Sequence, residues 1–436
     1  MAYYEEPRFS MPMLRTFSKV RLYLICFAAL ALALPMAVIS LAKILLLLGA
    51  LTVLLRDWQQ QGFKGRSPLS TSKTTPMVLL ALALMLASSL LSSVALDQML
   101  PALLKHSRLL LIPIVLCLTR SRQEALLALA FFVAGQVFLL CSTWLLFMGI
   151  PIPWVISKEA GICANCSFAI FSSYLDQSIM TAVLAAVIWH LRIHAPQRYR
   201  TSLAAVIVGL ALTCVFFIFQ GRTGHVVAIT LITLAIVWES PKHLRWRLVL
   251  IPLALLIALA VSSSKVSRGL KEIGEGIQSF QNSGQLSPRS GVRLDLWRRS
   301  LQSIAENPWQ GSGVGSWRSE FERQQALHSP ATPISNVGDQ HQNPHQEFLL
   351  WGVELGLPGI VLLCAVLLTL YRDSQRLQVP ERRAMQSVLA ALVAACLFNC
   401  TLYDSLIGDF FCITLGLLLA LGGSMPAPPT AAGTAV

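Results

Sequence analysis

Long apolar tracts, separated by short polar connections, run through most of the 436-residue chain. A helix that crosses the hydrocarbon core of a bilayer needs about 20 predominantly apolar residues. The first tract, residues 22–55, is long enough for two such helices with a tight turn between them. Further tracts follow at approximately 76–96, 100–118, 125–149, 178–191, 202–219, 226–239, 248–262, 355–371, 384–403 and 410–424. The pattern predicts an all-α polytopic membrane protein with about twelve transmembrane helices.

One long polar segment, residues 263–346, interrupts this series of apolar tracts. Over Ser290–Glu306 the apolar side chains recur every three or four positions, which predicts an amphipathic helix. A glycine-rich turn at 311–315 leads to a second predicted helix that begins at Ser316. The apolar stripes indicate that both helices lie on the bilayer surface, over the helix bundle.

The positions of lysine and arginine predict which helix ends face the cytoplasm. With a cytoplasmic N-terminus at 1–21, the basic connections near 56–73, 120–122, 192–200, 242–247 and 372–383 all fall on the cytoplasmic side. The chain then divides into transmembrane helices at 22–262, a long outer loop at 263–346, a further helix start with transmembrane helices at 347–424, and a cytoplasmic tail at 425–436. This topology accounts for the formal net charge of +13, so the charge does not indicate a nucleic-acid partner.

A histidine near the end of the long outer segment is the first candidate for chemistry. Asn343 is a good N-cap and Pro344 suits the first helical position, which predicts that His345 lies in the first turn of a helix. The positive end of the helix dipole favours a neutral imidazole that can accept a proton. The alternative is a hydrogen-bonded histidine at the membrane interface without a chemical role.

Several cations on the outer side are candidates for binding an anion. Arg222 lies between Gly221 and Gly224 in a tight turn, where the next helix offers free N–H groups; the alternative is an interfacial anchor. Arg293 shares a helix face with Trp297, and its alternative is a solvated position. Two further cations precede a span, where they either contact a phosphate or are ordinary flanks of the helix: Lys105 and Arg108.

Other kinds of chemistry find less support in the sequence. Most cysteines lie inside apolar tracts, where thiols are small buried hydrophobes. Cys163 and Cys166 form a C-x-x-C pair in a polar loop, which is compatible with a disulfide in an oxidising compartment, while a zinc site would need two more ligands. The glycine turn at 311–315 has neither the preceding strand nor the lysine of a nucleotide-binding loop. We therefore expect no metal and no cofactor.

A set of short motifs occurs in a characteristic order along the chain. It comprises Gly221-Arg222-Thr223-Gly224, Arg293 with Trp297, residues 307–313 (NPWQGSG), residues 344–349 (PHQEFL) and residues 354–359 (ELGLPG). This order resembles the signature of the O-antigen ligase superfamily, which also contains O-antigen polymerases and pilin O-oligosaccharyltransferases. Gln346 departs from the pattern, because many members carry asparagine there.

The resemblance implies an activity and a site. A member of the ligase branch transfers polysaccharide from undecaprenyl diphosphate to a sugar of lipid A–core, at the periplasmic face of the cell inner membrane. Carried over residue by residue, His345 corresponds to the essential histidine, a general base, and Arg222 and Arg293 to the essential arginines. Substrate contacts are expected from Lys105, Arg108, Trp297 and Gln346. The partners are then the two lipid-linked substrates and membrane lipids.

Two alternatives remain open at the level of the sequence. A polymerase, or a protein O-oligosaccharyltransferase, uses the same donor with a different acceptor, and the residues do not separate these activities. A transporter of lipid-linked glycan would also explain the apolar tracts and the basic outer surface. It predicts charged residues deep within the spans, and the middle of each tract is almost free of charge.

Overall fold

The computed structural model describes residues 11–61, 72–92, 94–155, 168–241, 290–328 and 343–422, with isolated positions between 243 and 271. Three features predicted from the sequence lie outside the described residues: the span 248–262, the Cys163–Cys166 pair and most of the polar linker before residue 343. Within the described residues the regular structure is entirely helical, which confirms the all-α class.

Fifteen α-helices are described, and they are numbered here in chain order. They are α1 Met11–Ala31, α2 Met36–Gln61, α3 Thr74–Leu91, α4 Leu96–His106, α5 Leu111–Leu118, α6 Arg122–Phe147, α7 Tyr174–Leu191, α8 Arg200–Thr213, α9 Arg222–Glu239, α10 Ser290–Glu306, α11 Trp317–His328, α12 Glu347–Leu355, α13 Leu357–Ser374, α14 Val379–Cys396 and α15 Ser405–Ala420. The first surface helix has the predicted bounds, and the second begins one residue later than predicted.

Among the described residues, seven stretches of helix are long and apolar enough to cross a membrane. They are Met36–Gln59, Leu96–Leu118, Arg122–Phe147, Tyr174–His194, Arg200–Ile218, Arg222–Glu239 and Leu357–Ser374. Helix α2 exposes a row of large apolar side chains, among them Leu41, Leu48 and Leu55, as expected of a face in contact with lipid. The chain is therefore a membrane protein with several apolar helices, and the number twelve stays a prediction.

Two predicted spans are not continuous α-helices in the structure. The span 100–118 consists of α4 and α5 joined by a 3₁₀ turn, Ser107–Leu110, where polar side chains find partners in neighbouring segments. The span 384–403 stops at Cys396 as α14, and residues 397–404 form a loop before α15. This 397–404 loop matters for the site, because its backbone N–H groups are bound by a buried carboxylate instead of by a continuing helix.

Helix α7 lies at the centre of the bundle and positions the outer ends of its neighbours. It packs against α8, α9 and α14, and most of its side chains are buried. Its N-terminus is capped by Ser173, whose hydroxyl accepts the N–H of Asp176. The start of α9 packs closely on α7, since a Cβ on Gly224 would lie 2.2 Å from Ser178 Oγ. The glycines on either side of Arg222 thus permit close packing of α9 on α7.

Candidate functional site

The turn that carries His345 differs from the sequence prediction. Helix α12 begins at Glu347 and is capped by Gln346, whose side-chain oxygen accepts the N–H of Leu349. His345 therefore precedes the helix, and the prediction of a first-turn histidine capped by Asn343 was wrong. Asn343 closes a smaller turn instead, because its Oδ1 accepts the N–H of His345 at 3.0 Å. The ring still lies next to the positive end of α12.

The backbone of His345 is in an unusual conformation. Its φ of 50° makes it the one non-glycine residue with positive φ among the described residues. Such a conformation costs about 1–3 kcal/mol and persists where surrounding contacts enforce it, often at functional sites. The residue is half-buried.

Glu347 fixes the 397–404 loop beside this turn. Its carboxylate is fully buried and accepts the N–H groups of Leu402 at 2.9 Å and Tyr403 at 3.4 Å, and the indole N–H of Trp351 at 3.1 Å. Burial raises the pKa of Glu347 to about 7, against its usual 4.5, although these hydrogen bonds pull in the other direction. A carboxyl two residues from the histidine thus holds the loop that closes the site.

The same loop is joined to the histidine turn a second time. Asn343 Nδ2 donates to Asp404 Oδ1 at 3.4 Å, while Asn343 Oδ1 binds the backbone of His345. Burial raises the pKa of Asp404, the nearby carboxylate of Asp176 acts in the same direction, and the result is a pKa of about 6. Lys105 and Arg108 act in the opposite direction on Asp404, so both lie in its neighbourhood.

Arg222 and Arg293 are neighbours, although 70 residues of sequence separate them. Arg222 is exposed at the first position of α9, and Arg293 is half-buried near the start of α10. Burial lowers the pKa of Arg293, and the positive charge of Arg222 lowers it further, whereas Tyr174 has the opposite effect. Two guanidinium groups that repel each other in this way form a favourable site for a multiply charged anion between them.

Two hydrogen bonds link the arginines to the histidine turn. The indole N–H of Trp297, one helical turn from Arg293, donates to the carbonyl of Pro344 at 3.1 Å. The amide of Asn399 donates to Thr223 Oγ1 at 3.1 Å, which ties the 397–404 loop to the residue next to Arg222. The structure therefore brings the elements that carry His345, Arg222 and Arg293 together around one loop.

Lys105 and Arg108 approach the 397–404 loop as well. The ammonium of Lys105 lies 4.3 Å from the centre of the Tyr403 ring. Arg108 donates to the carbonyl of Tyr403 and to Ser405 Oγ, and lies 3.5 Å from the buried carboxylate of Asp409. Through these contacts Lys105 and Arg108 support the 397–404 loop. A direct contact of either residue with substrate stays a prediction.

Sequence reasoning missed a buried, hydrogen-bonded pair of side chains that holds the glycine-rich turn. His106 Nε2 lies 2.7 Å from Glu354 Oε2, and both side chains are inaccessible to solvent. The other oxygen of Glu354 accepts the N–H of Gly315 at 2.9 Å. Gly311 has a φ of 65°, and a Cβ there would lie 2.5 Å from the backbone of Glu354. A Cβ on Gly313 or Gly315 would instead meet Ser92 or the backbone of Gln98, so the three glycines let the turn pack closely on α12, on the end of α3 and on α4, which explains their number without a nucleotide.

Two acidic residues lie near the start of α15. Asp404 is the N-cap residue of this helix, and Asp409 lies within it. Asp409 is fully buried, 2.7 Å from Lys43 Nζ and 3.5 Å from Arg108 Nε, so it is a partner of these cations. Among the described residues no group of three or more His, Cys, Asp and Glu side chains is arranged to hold a metal ion.

The fold and the site together define a class: a polytopic helical membrane protein with a histidine, a pair of arginines and buried carboxyls gathered where several helices begin. Comparison with protein families gives one match. Residues 207–364 match the family model described as O-antigen ligase, whose members are glycosyltransferase-like enzymes. The matched region contains Arg222, Arg293 and His345, and it supports a relationship to the O-antigen ligase superfamily. No curated protein matches the chain.

Proposed function

We propose that the protein is an O-antigen ligase that transfers a polysaccharide from undecaprenyl diphosphate to a sugar of lipid A–core, without a metal ion. The family match supports the choice of lipid-linked polysaccharide substrates. The observation that carries the proposal is the pairing of Arg222 with Arg293 beside the histidine turn. A diphosphate presents several anionic oxygens to such a pair, and arginine binds two oxygens at once with its planar fork.

In the proposed reaction His345 is the general base. Its ring accepts the proton of an acceptor hydroxyl while that oxygen attacks the anomeric carbon of the donor sugar. The bond between this carbon and the diphosphate oxygen breaks, and undecaprenyl diphosphate leaves with the electron pair. Arg222 and Arg293 stabilise the negative charge that develops on the leaving oxygens. One displacement of this kind inverts the anomeric carbon and needs no covalent enzyme intermediate.

The supporting residues are assigned to positioning. Glu347 and Asn343 hold the 397–404 loop and the histidine turn in a fixed relation, while Trp297 fixes the helix of Arg293 against that turn. Both substrates are lipids in the same membrane. Catalytic residues held in fixed positions at one membrane face would keep the reacting atoms of the two lipids close together and correctly oriented. By the distribution of positive charge, that face is the periplasmic side of the inner membrane.

The test is reconstitution of the purified protein with defined substrates. Undecaprenyl-diphosphate-linked glycan is supplied with lipid A–core as acceptor in one reaction, with a second lipid-linked glycan in another, and with a pilin in a third. We expect a product only with lipid A–core, carried by a glycosidic bond inverted relative to the donor. Elongation of the lipid-linked glycan would identify a polymerase instead, transfer to a pilin would identify a protein O-oligosaccharyltransferase, and no product with any acceptor would favour a transporter.

A further inference from the structure

An apolar cavity lies between α7, α8 and α9, away from the proposed catalytic end. Helices α8 and α9 both pack on α7, and the space between them has a volume of about 340 Å³. Most of its wall is small and aliphatic, with Ala182 and Ala186 on α7 and Ala235 on α9. This volume is within the range of sites that bind small molecules, and its wall suits a hydrocarbon chain. We call it the α7–α9 cavity.

The polar end of the cavity is the end opposite to Arg222. Glu239 and Ser240 line it at the C-terminus of α9, whereas Arg222 begins that helix. At 1.5 Å per residue, α9 separates these two ends by about 25 Å. The distribution of positive charge predicts that this distant end faces the cytoplasm. A ligand held here by its polar group is therefore separate from the reacting groups.

A buried histidine points into this end without a hydrogen-bond partner. His190 lines the cavity, is only 4 % exposed, and its Nε2 has no hydrogen-bond partner among the described residues. Its ring meets that of Trp238 edge-on at 5.2 Å. A buried polar atom is normally satisfied by protein, water or ligand, so Nε2 marks a place where a polar group of a ligand would bind.

The charges around His190 favour an anion. The charged groups that act on it most strongly are Arg383, Arg192 and Glu239. Arg192 lies 4.1 Å above the Trp189 ring and 3.4 Å from the Glu239 carboxylate, while Arg383 donates to the Trp238 carbonyl at 3.1 Å. Two arginines against one carboxylate leave a net positive charge. Tryptophan and arginine at helix ends are also typical of the membrane–water interface, at the depth of lipid headgroups.

We propose that the α7–α9 cavity binds one acyl chain of an anionic phospholipid, with the lipid phosphate against His190, Arg192 and Arg383. The apolar wall accounts for the chain, the unpartnered Nε2 accounts for a polar group at its end, and the two arginines account for the negative charge. Basic sites between transmembrane helices on the cytoplasmic side are suited to such headgroups. The bound lipid would fill the space between α8 and α9 and hold α9, which begins with Arg222, in place.

Lipid binding to the purified full-length protein tests the proposal independently of transfer activity. Native mass spectrometry follows titration of the delipidated protein in detergent with phosphatidylglycerol or with phosphatidylcholine. We expect one phosphatidylglycerol molecule to bind about fivefold more tightly than phosphatidylcholine, because the cationic choline of the second lipid offsets the attraction between its phosphate and a basic side chain. Equal affinity for the two lipids would overturn the assignment of an anionic headgroup.

Matched variants assign the lipid to the cavity. Ala235→Leu fills the apolar part, and Ala205→Leu makes the same change at an exposed position of α8. Arg383→Gln removes a charge at the polar end, and Arg198→Gln removes one at an exposed position on the same predicted side. We expect about fivefold weaker phosphatidylglycerol binding in the first variant of each pair and wild-type binding in the second. Wild-type binding in Ala235→Leu and Arg383→Gln would overturn the proposal and favour closure of the cavity by the chain itself, for example by the predicted span 248–262.

A competition experiment separates this lipid from the donor. Undecaprenyl phosphate is added to the phosphatidylglycerol complex of the wild-type protein and of Arg222→Gln. We expect phosphatidylglycerol to remain bound in both proteins. Displacement in the wild type that is weakened by Arg222→Gln would show that the cavity holds the tail of the donor, which contradicts a separate phospholipid site.

Discussion

The indole N–H of Trp297 donates to the carbonyl of Pro344 at 3.1 Å, and this bond joins the helix of Arg293 to the turn of His345. Replacement by phenylalanine keeps an aromatic ring and removes the donor. We expect Trp297→Phe to lower kcat of the transfer reaction about twofold to tenfold, as expected for one neutral hydrogen bond. Trp58→Phe, at an exposed position of α2, is the matched control. An unchanged kcat in Trp297→Phe would show that this hydrogen bond does not position the catalytic residues.

The two arginines are expected to act through their planar forks as well as their charge. Arg222→Lys and Arg293→Lys keep a positive charge but lose the bidentate geometry, so each should lower kcat/KM about tenfold or more. Arg198→Lys, at an exposed position on the opposite predicted side, should retain wild-type kinetics. Normal turnover in Arg222→Lys would indicate a generic interfacial anchor.

Glu347 gives the protein a stability that depends on pH. Because burial raises its pKa to about 7 from its usual 4.5, the folded protein binds more protons than the unfolded chain between these values. Stability should therefore fall as pH rises through this window and level off above pH 7. Asp404, whose pKa is raised to about 6, contributes in the same direction at lower pH.

Thermal unfolding in detergent between pH 6 and pH 8 measures this contribution, and comparison with Glu347→Gln separates it from that of Asp404. The wild-type midpoint should decrease across that interval, and the midpoint of Glu347→Gln should change less. Asp57→Asn, at an exposed position, should leave the pH dependence intact. Identical pH dependence in wild type and Glu347→Gln would show that the carboxyl is ionised in the folded protein at pH 6.

The pair His106–Glu354 should behave as one unit in stability. Removal of one partner leaves a polar group of the other buried without a hydrogen bond, which costs about 1–3 kcal/mol. We expect His106→Gln and Glu354→Gln each to lower the unfolding midpoint, and the double variant to lose less than the sum. Strict additivity in this double-mutant cycle would mean that the two side chains do not interact.

The sequence predicted the elements better than it predicted their contacts. The helical class, the surface helix Ser290–Glu306 and the end of α12 before Gly356 all follow from local patterns of polarity, glycine and proline. The N-cap of α12 did not follow from local patterns. Asn343 and Gln346 are both suitable N-cap residues, and only the tertiary structure selects Gln346. Residues 397–404 were included in a predicted span because they are mostly apolar, although the carboxylate of Glu347 holds them in a loop.

The sequence identified the candidate catalytic residues, but it did not identify the residues that hold them in position. His345, Arg222 and Arg293 stand out by local context and by resemblance to a family. Glu347 and Glu354 lie inside the same motifs, yet their roles depend on contacts with Leu402 and His106, which are distant in sequence. No periodicity or spacing encodes such contacts. Roles for Lys105, Arg108 and Gln346 in substrate binding stay predictions.

Transfer by the His345→Ala variant is the most direct measurement of the central claim. Purified wild type and variant are compared at equal protein concentration with undecaprenyl-diphosphate-linked glycan and lipid A–core, and equal unfolding midpoints establish that the variant is folded. We expect the initial rate to fall about 100-fold or more, as for removal of a general base. A wild-type rate in folded His345→Ala would contradict the assignment of His345 as the base and with it the proposed mechanism.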